Sequence, residues 1–215
     1  MIDAALWRNK CAKDITAGYS PGGVRGDTYE SGVKLAQQLA EWGVWQRGDV
    51  LVDVGCGNGR LAMGLLAAGV TYIGLDVVLP CVEFCRDAFR EMEAFRFVHL
   101  DVYNARYWPE GAVAPNKVVY PLDDACADVV VANSLFTHTG TLDVARRNLR
   151  EMRRILKPGG RLYTTWFFGD VSDEQAAKTV YRRRNIEPLL AWVDIVHEGL
   201  TARSSQTALL GVKRD

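Results

Sequence analysis

The sequence predicts a single α/β domain built on a doubly wound, mostly parallel sheet with helices on both faces. Two observations predict this fold. Short apolar runs alternate with helical patterns from residue 28 to about residue 182, which is the element order of a parallel sheet with right-handed crossovers. The chain has 215 residues, 48% of them hydrophobic and 24% charged, which suits one well-buried core. We therefore treat residues 1–215 as one domain.

The elements follow in order along the chain. Apolar residues at helical spacing predict helices over 28–42, 58–68, 79–93, 142–156 and 173–181. Short apolar runs between turn residues predict strands over 50–54, 71–75, 95–100, 128–132 and 161–167. Two last strands, over 192–196 and 207–212, are joined by a connection too short for a crossover helix, so we expect them to pair antiparallel.

Charge, hydropathy and cysteine content argue against several classes of protein. The 26 Lys and Arg residues are balanced by 26 Asp and Glu residues, so we expect no nucleic-acid partner. No apolar run approaches the roughly 20 residues that span a bilayer, and the first residues lack the apolar core of a secretory signal. The five scattered cysteines predict reduced thiols in a cytoplasmic protein. Cys81 and Cys85 have no second ligand pair nearby in sequence, so we expect no metal site.

Residues 103–122 interrupt the regular alternation with a long irregular connection. The segment contains three prolines and a glycine, and connections above roughly 12–15 residues are often functional. Its aromatic residues Tyr103, Tyr107 and Trp108 would lie on the ligand side of the sheet. We expect them to form a wall that contacts a substrate, with coverage of the core as the alternative.

The first strand runs directly into a turn with three glycines. The turn reads Asp53-Val54-Gly55-Cys56-Gly57-Asn58-Gly59-Arg60, and its bare backbone lets a ligand lie against the chain. The third glycine comes one residue earlier than in the dinucleotide pattern Gly-x-Gly-x-x-Gly, and no lysine follows as in a phosphate-binding P-loop. The spacing therefore counts against NAD and against a nucleoside triphosphate.

Carboxylates end the next two strands. Asp76 is placed to accept hydrogen bonds from a ribose diol, and the alternative is a cap for the helix that begins just after it. Asp101 is placed to accept from an adenine amine while Val102 covers the ring, and the alternative is an ordinary carboxylate at a strand end.

Taken together, these residues resemble the class I S-adenosylmethionine-dependent methyltransferases, in particular their small type 11/12 domains. The resemblance covers residues 28–168 and includes the segment Leu156-Lys157-Pro158-Gly159-Gly160 before a strand. It implies a Rossmann-like methyltransferase fold of seven strands with the last strand antiparallel, and S-adenosyl-L-methionine as cofactor, with S-adenosyl-L-homocysteine as its product. The cofactor-binding residues that it implies are Asp53, Gly55, Cys56, Gly57, Asn58, Gly59, Asp76, Val77, Asp101, Val102, Asn133 and Ser134.

The implied reaction moves a methyl group to an oxygen or nitrogen of a small-molecule acceptor, in a monomer or homodimer. A hydroxyl acceptor must lose a proton, and His138 in the loop after the fourth strand is the candidate base, with shaping of the cofactor loop as its alternative role. His99 and His197 are expected to be structural. Tyr19 and Arg25 lie in a segment, 1–27, that we expect to act as a lid and to contact the acceptor.

Two alternatives to methyl transfer stay open from the sequence. One is an NAD-dependent oxidoreductase, against which the early third glycine counts. The other is an inactive scaffold protein that binds the cofactor and works through contact with a partner.

Overall fold

The computed structural model describes residues 28–169, 178–201 and 205–215. The strands are β1 (Val50–Val54), β2 (Thr71–Asp76), β3 (Phe95–His99), β4 (Ala127–Ala132), β5 (Leu156–Trp166), β6 (Val193–Leu200) and β7 (Thr207–Lys213). The α-helices are α1 (Thr28–Glu41), α2 (Arg60–Gly64), α3 (Leu79–Ala88), α4 (Leu142–Ile155) and α5 (Arg183–Ile186). Short 3-10 helices cover Pro115–Lys117, Phe136–His138 and Glu187–Leu190.

Within the described residues the strands form one seven-stranded sheet in the order β3-β2-β1-β4-β5-β7-β6. The pairs among β1 to β5 are parallel, whereas β7 runs antiparallel to both β5 and β6. This confirms the predicted fold, including the antiparallel last strand. The strand order reverses between β1 and β4, which is where open α/β sheets bind their ligands.

The core lies on both faces of the sheet because successive side chains of each strand point to opposite sides. Leu51 packs with the residues of α1 to α3 on one face, and its neighbour Val52 packs with α4 on the other. Both side chains are fully buried. Thr141 is the N-cap of α4, because its hydroxyl accepts the N–H of Val144 at 3.3 Å. No helix in the described ranges is long and apolar enough to cross a membrane.

Three predicted helices differ in the structure. The helix predicted over 79–93 ends at Ala88, and the helix predicted over 58–68 ends at Gly64. Helix α2 begins at Arg60 rather than at residue 58, because Gly59 has a left-handed backbone with φ of 78° and belongs to the glycine turn. The helix predicted over 173–181 does not reach residue 181. The N–H of Thr179 donates to the carbonyl of Thr137 and that of Tyr181 to Phe167, so these amides pair with other segments instead of closing a helix. The rest of that prediction lies outside the described residues.

The long connection after β3 is irregular, as predicted, and a buried polar network fixes it to α4. The Glu151 carboxylate accepts the N–H of Tyr120 at 2.9 Å and pairs with Arg154 at 2.7 Å. The Tyr120 hydroxyl donates to the Asn148 side chain at 2.7 Å, and Arg147 donates to the carbonyl of Val118 at 2.6 Å. These bonds hold residues 118–122 against the helix, so the connection has one defined path over the carboxyl ends of the strands.

Candidate active site

A cavity of about 810 Å³ opens at the carboxyl ends of the central strands, beside the point where the strand order reverses. Its walls are the glycine turn, the end of β2, the connection after β3, the loop after β4 and one side of α4. Pockets of about 300–1,000 Å³ are typical of small-molecule and cofactor sites. The topology therefore places one ligand-sized cavity where the sequence predicts the binding residues.

The glycine turn presents bare backbone to this cavity. Gly55 and Gly57 have φ of 82° and 54°, in the left-handed region that favours glycine. A Cβ atom added to Gly57 would meet nothing within 4 Å, so this part of the turn borders open space. Cys56 and Asn58 also line the cavity. The predicted site residue Gly59 lies behind the turn, against the side chains of α3 and its C-terminal end.

The Asp76 carboxylate connects the turn to the next helix. One oxygen accepts the N–H of Gly57 at 2.7 Å and the other accepts that of Val78, the N-cap residue of α3, at 2.8 Å. Burial raises the pKa of Asp76, while the donated N–H groups of Val78 and Gly57 lower it. A carboxylate offers about four lone-pair sites, so both oxygens retain capacity toward the cavity that Asp76 lines. The capping and ribose roles, offered as alternatives, are compatible.

Asp53 does not line the cavity. Its side chain is buried, and the hydroxyl of Tyr72 donates to it at 2.6 Å. Burial raises the pKa of Asp53 to about 6, against the lowering effects of the Tyr72 hydrogen bond and the Arg60 charge. A carboxylic group that titrates near neutrality this close to a ligand cavity is typical of functional sites.

At the predicted adenine end, the structure separates residues that the sequence grouped. Val102 is buried and lines the cavity, as does Val77. Asp101 does not line it, and one oxygen of its carboxylate accepts the indole N–H of Trp108 at 3.2 Å and the N–H of Ala112 at 3.3 Å. Trp108 was expected in the aromatic wall, but its ring packs edge-on against the His99 ring, with centroids 5.3 Å apart. The turn over residues 104–108 thus directs Trp108 away from the cavity.

The loop after β4 contributes Asn133 and Ser134, both of which line the cavity. Ser134 adopts a left-handed backbone with φ of 63°, which is uncommon for a residue other than glycine. The N–H of Ser134 donates to the Thr165 hydroxyl at 2.7 Å, and the side-chain amide of Gln206 donates to the Ser134 hydroxyl at 3.0 Å. Contacts from β5 and from just before β7 therefore hold this loop in one shape beside the ligand space.

The outer part of the cavity brings Tyr103, Tyr107 and His138 together. The Tyr107 hydroxyl lies 3.4 Å from His138 Nδ1. Partial burial lowers the pKa of His138, and the positive charges of Arg106 and Lys178 lower it further. An imidazole with a lowered pKa is neutral at pH 7 and is able to accept a proton.

The other two histidines have structural contacts, as expected. His99 Nε2 lies 3.0 Å from the Val77 carbonyl oxygen. The His197 ring packs on Trp42, with centroids 3.9 Å apart. Tyr19 and Arg25, together with the lid predicted over 1–27, lie outside the described residues. Within the described ranges, no three His, Cys, Asp or Glu side chains form a metal-binding group.

The cavity wall includes residues that the sequence analysis did not place in the site, among them Cys81, Asn104 and Asn148. Asn148 is 8% exposed on the apolar side of α4, and such a polar interruption of a helical apolar pattern is a usable signal. Asn104 precedes a turn, where asparagine commonly bonds to backbone amides ahead of it. Cys81 has no signal of this kind, because a buried cysteine on a helix is ordinary core.

Residues 52–164 match the family described as methyltransferase domain, and this match covers more than half of the chain. The chain belongs to this family. The match confirms the resemblance to class I S-adenosylmethionine-dependent methyltransferases and favours it over the nicotinamide alternative.

Named relatives agree with the family. The chain is 27% identical over 120 residues to a tRNA (carboxymethyluridine(34)-5-O)-methyltransferase of Arabidopsis thaliana, covering 55% of this chain and 24% of that protein. It is 31% identical over 134 residues to methyltransferase GfsG of Streptomyces halstedii, covering 62% and 43%. It is 27% identical over 158 residues to O-methyltransferase rstn1 of Aspergillus nomiae, covering 73% and 64%. The chain thus spans less than two thirds of the length of each of these relatives.

A solved structure shows the same fold. The PH0226 protein of Pyrococcus horikoshii OT3 superposes with a TM-score of 0.65 at 16% identity, covering 99% of this chain and 100% of that one. At this identity the likeness concerns the fold.

The residues present fit S-adenosylmethionine, the cofactor of this family. The open space over Gly57 admits a ligand against the backbone, and Asp76 offers the remaining lone pairs of a buried carboxylate beside it. Val77 and Val102 add apolar surface suited to a flat base.

Proposed function

We propose that this protein transfers a methyl group from S-adenosylmethionine to an oxygen or nitrogen of a small-molecule acceptor, with a hydroxyl as the favoured group. The observation that carries the proposal is one continuous cavity that joins the glycine turn and Asp76 to Tyr107 and His138. Methyl transfer requires donor and acceptor in line, so both must share one cavity.

The cofactor side of the cavity supplies binding and orientation. When bound, S-adenosylmethionine supplies an already activated methyl group, so the protein needs no further activation of the donor. Asp76 would accept the ribose hydroxyls, and the backbone of Gly55 and Gly57 would lie against the methionine part. Val77 and Val102 would enclose the base and exclude water from it.

The lining of the acceptor side favours a largely apolar hydroxyl compound. Tyr103, Ala105, Tyr107 and Val118 give this side aromatic and apolar surface. Among the lining residues within the described ranges, Asp76 is the only carboxylate, and it belongs to the cofactor side. A protonated amine would find no negative partner at the acceptor side, whereas a hydroxyl or phenol needs none. The relative from Aspergillus nomiae is named an O-methyltransferase, which supports an oxygen acceptor.

His138 would act as the base for a hydroxyl acceptor. Its pKa is lowered, so the imidazole is neutral and ready at pH 7. Its Nδ1 atom faces Tyr107, and none of the described residues hydrogen-bonds to its Nε2 atom. The proton that the acceptor hydroxyl releases would move to Nε2 as the oxygen is methylated.

The first experiment tests the cofactor and the acceptor class. S-adenosylhomocysteine should raise the melting temperature, because a ligand that binds only the native state stabilises it, whereas NAD should not. Pools of phenols, alcohols, amines and tRNA are then screened for release of S-adenosylhomocysteine, with mass spectrometry of the product. A scaffold without activity would bind S-adenosylhomocysteine and methylate none of the pools. Methylation of tRNA alone would replace the small-molecule acceptor by a nucleic acid.

The second experiment tests the base with the acceptor so found. His138→Gln should lower turnover about 10²–10⁴-fold, the usual contribution of general base catalysis, and leave the affinity for S-adenosylhomocysteine unchanged. The remaining rate should rise with pH, because a more basic solution ionises the hydroxyl directly. His197→Gln is the matched control, since His197 lies on β6 and does not line the cavity. Loss of cofactor affinity in His138→Gln would instead indicate that His138 shapes the cofactor loop.

A further inference from the structure

Tyr107 and His138 meet across the cavity from two different loops. Tyr107 belongs to the connection after β3, and His138 ends the 3-10 helix after β4. Their rings meet edge-to-face with centroids 5.3 Å apart and an interplanar angle of 82°. The Tyr107 hydroxyl lies 3.4 Å from His138 Nδ1. The Tyr107 hydroxyl therefore contacts Nδ1 of the His138 imidazole.

The position of Tyr107 is built into its loop. The Asn104 side-chain oxygen accepts the N–H groups of Arg106 and Tyr107, both at 3.0 Å. Asn104 and Trp108 exchange two backbone hydrogen bonds of 2.9 Å, which closes the turn around Tyr107. The Asn104 amide also reaches the His138 carbonyl oxygen at 3.5 Å. One asparagine thus orients the turn that presents Tyr107 and joins that turn to the backbone of His138.

The loop of His138 is also held in place. The N–H of His138 donates to the carbonyl of Leu135 at 3.0 Å, and the Thr137 hydroxyl donates to the Ser134 carbonyl at 2.8 Å. Directly after His138 in the chain, the Thr139 hydroxyl lies 2.6 Å from the Tyr181 hydroxyl. Hydrogen bonds therefore hold the backbone of both loops in place, and the contact between Tyr107 and His138 is set by the positions of these loops.

The chemistry of the pair decides which atom donates. Burial raises the pKa of Tyr107, so its hydroxyl keeps its proton at neutral pH and can donate or accept. An imidazolium has two N–H donors and no acceptor, so Tyr107 can only accept from Nδ1 once His138 has taken a proton. Burial opposes the imidazolium and so lowers the pKa of His138, and the positive charges of Arg106 and Lys178 lower it further.

We propose that Tyr107 is a positioning residue for His138: its oxygen accepts the Nδ1–H, which leaves Nε2 with the lone pair that faces the acceptor. The proposal rests on the proposed function, in which His138 takes the proton of an acceptor hydroxyl. The proposal requires the Nδ1–H tautomer in the neutral state, in which the Tyr107 oxygen accepts, and during turnover the same contact stabilises the imidazolium. The proton taken at Nε2 returns to solvent when the product leaves.

The first test needs no acceptor and reads His138 directly by NMR. The His138 signals are assigned by their loss in His138→Gln. In the unaltered protein, the ¹⁵N shifts of neutral His138 should report the Nδ1–H tautomer. In Tyr107→Phe the pKa of His138 should fall by about 0.5–1 unit, because the imidazolium loses a hydrogen-bond acceptor. Tyr103→Phe is the matched control for this titration, since Tyr103 lines the same cavity and its hydroxyl has no described hydrogen bond to His138; it should leave the pKa unchanged.

The second test uses the acceptor identified above. Tyr107→Phe should lower kcat about 3–10-fold and leave the KM for S-adenosylmethionine unchanged. The acid limb of kcat against pH should move to lower pH together with the NMR pKa. A purely structural role would not move these two quantities together.

The outcomes separate this inference from the function on which it rests. Full turnover in His138→Gln would refute His138 as the base and, with it, the role given to Tyr107. An Nε2–H tautomer in the unaltered protein, or an unshifted or raised His138 pKa in Tyr107→Phe, would refute the role of Tyr107 alone and leave the base intact.

Discussion

Replacing Asp53 by asparagine is expected to stabilise the protein at neutral pH. Burial raises the pKa of Asp53 from its ordinary 3.8 to about 6. The folded protein therefore holds this proton more tightly than the unfolded chain does. The stability that comes from the bound proton is complete below about pH 3.8 and is lost as the pH rises through 6. Asparagine does not ionise, so at this position the variant should lose no stability as the pH rises through 6.

The magnitude follows from the shift in pKa. A difference of about 2.2 units, at about 1.36 kcal/mol per unit, corresponds to about 3 kcal/mol between pH values well below 3.8 and pH values well above 6. Roughly 1.3 kcal/mol of this falls between pH 5 and pH 7. The Tyr72 hydroxyl donates to the Asp53 carboxylate at 2.6 Å, and the side-chain amide oxygen of the Asp53→Asn variant would still accept that bond. The substitution therefore leaves the Tyr72 donor paired.

Urea unfolding of both proteins at pH 5, 6, 7 and 8 measures the difference. The free energy of unfolding of Asp53→Asn, relative to that of the unaltered protein, should increase by about 1.3 kcal/mol from pH 5 to pH 7. The other ionisable groups are common to both proteins, so their effects cancel in the difference. Tyr72→Phe serves as a directional control, because loss of its hydrogen bond should raise the pKa of Asp53 further and steepen the pH dependence. A difference that is constant from pH 5 to pH 8 would refute the reasoning.

Four further substitutions, two of them compared as a pair, test other parts of the structure. Asp76→Ala should weaken S-adenosylhomocysteine binding at least tenfold, as measured by calorimetry. It should also lower the free energy of unfolding in urea by about 2–4 kcal/mol, because two backbone N–H groups lose their acceptor. Unchanged affinity would limit Asp76 to its structural bonds. Gly59→Ala should lower the free energy of unfolding by about 2–3 kcal/mol and Gly140→Ala by only about 1 kcal/mol. Both glycines have φ near 78°, but an added Cβ meets neighbours at 3.0 Å only at Gly59. Equal losses in the two variants would contradict this. Glu151→Gln should cost about 2–4 kcal/mol by the same method, because the buried Glu151 carboxylate pairs with Arg154; a loss below about 0.5 kcal/mol would show that the pair adds little.

Much of the cavity wall around the glycine turn and Asp76 could be predicted because its signals are local. The glycine turn and Asp76 follow directly after buried strands, and the carboxyl ends of neighbouring parallel strands meet at one edge of the sheet. The backbone of Gly57 and the Asp76 carboxylate are therefore brought together by the topology alone, 19 residues apart in sequence. The early third glycine counted against a nicotinamide cofactor, in agreement with the family match.

The acceptor side depends on the path of a long connection, which no periodicity describes. Trp108 and Tyr107 are adjacent in sequence, yet one packs on His99 outside the cavity and the other contacts His138 within it. That difference arises from the bonds of Asn104 and from the anchoring of the connection on α4 by Glu151.

The sequence by itself determined the order of the elements, the glycine turn and the carboxylates at the strand ends, because each depends on residues close together in the chain. The tertiary structure decided which side chains face one another across the cavity. Tyr107 and His138 lie 31 residues apart, and their contact depends on hydrogen bonds between separate loops. The burial that raises the pKa of Asp53 likewise depends on residues distant in the chain, such as Tyr72 on the neighbouring strand. Such through-space effects have no counterpart in local sequence pattern, which is why the acceptor side needed the fold.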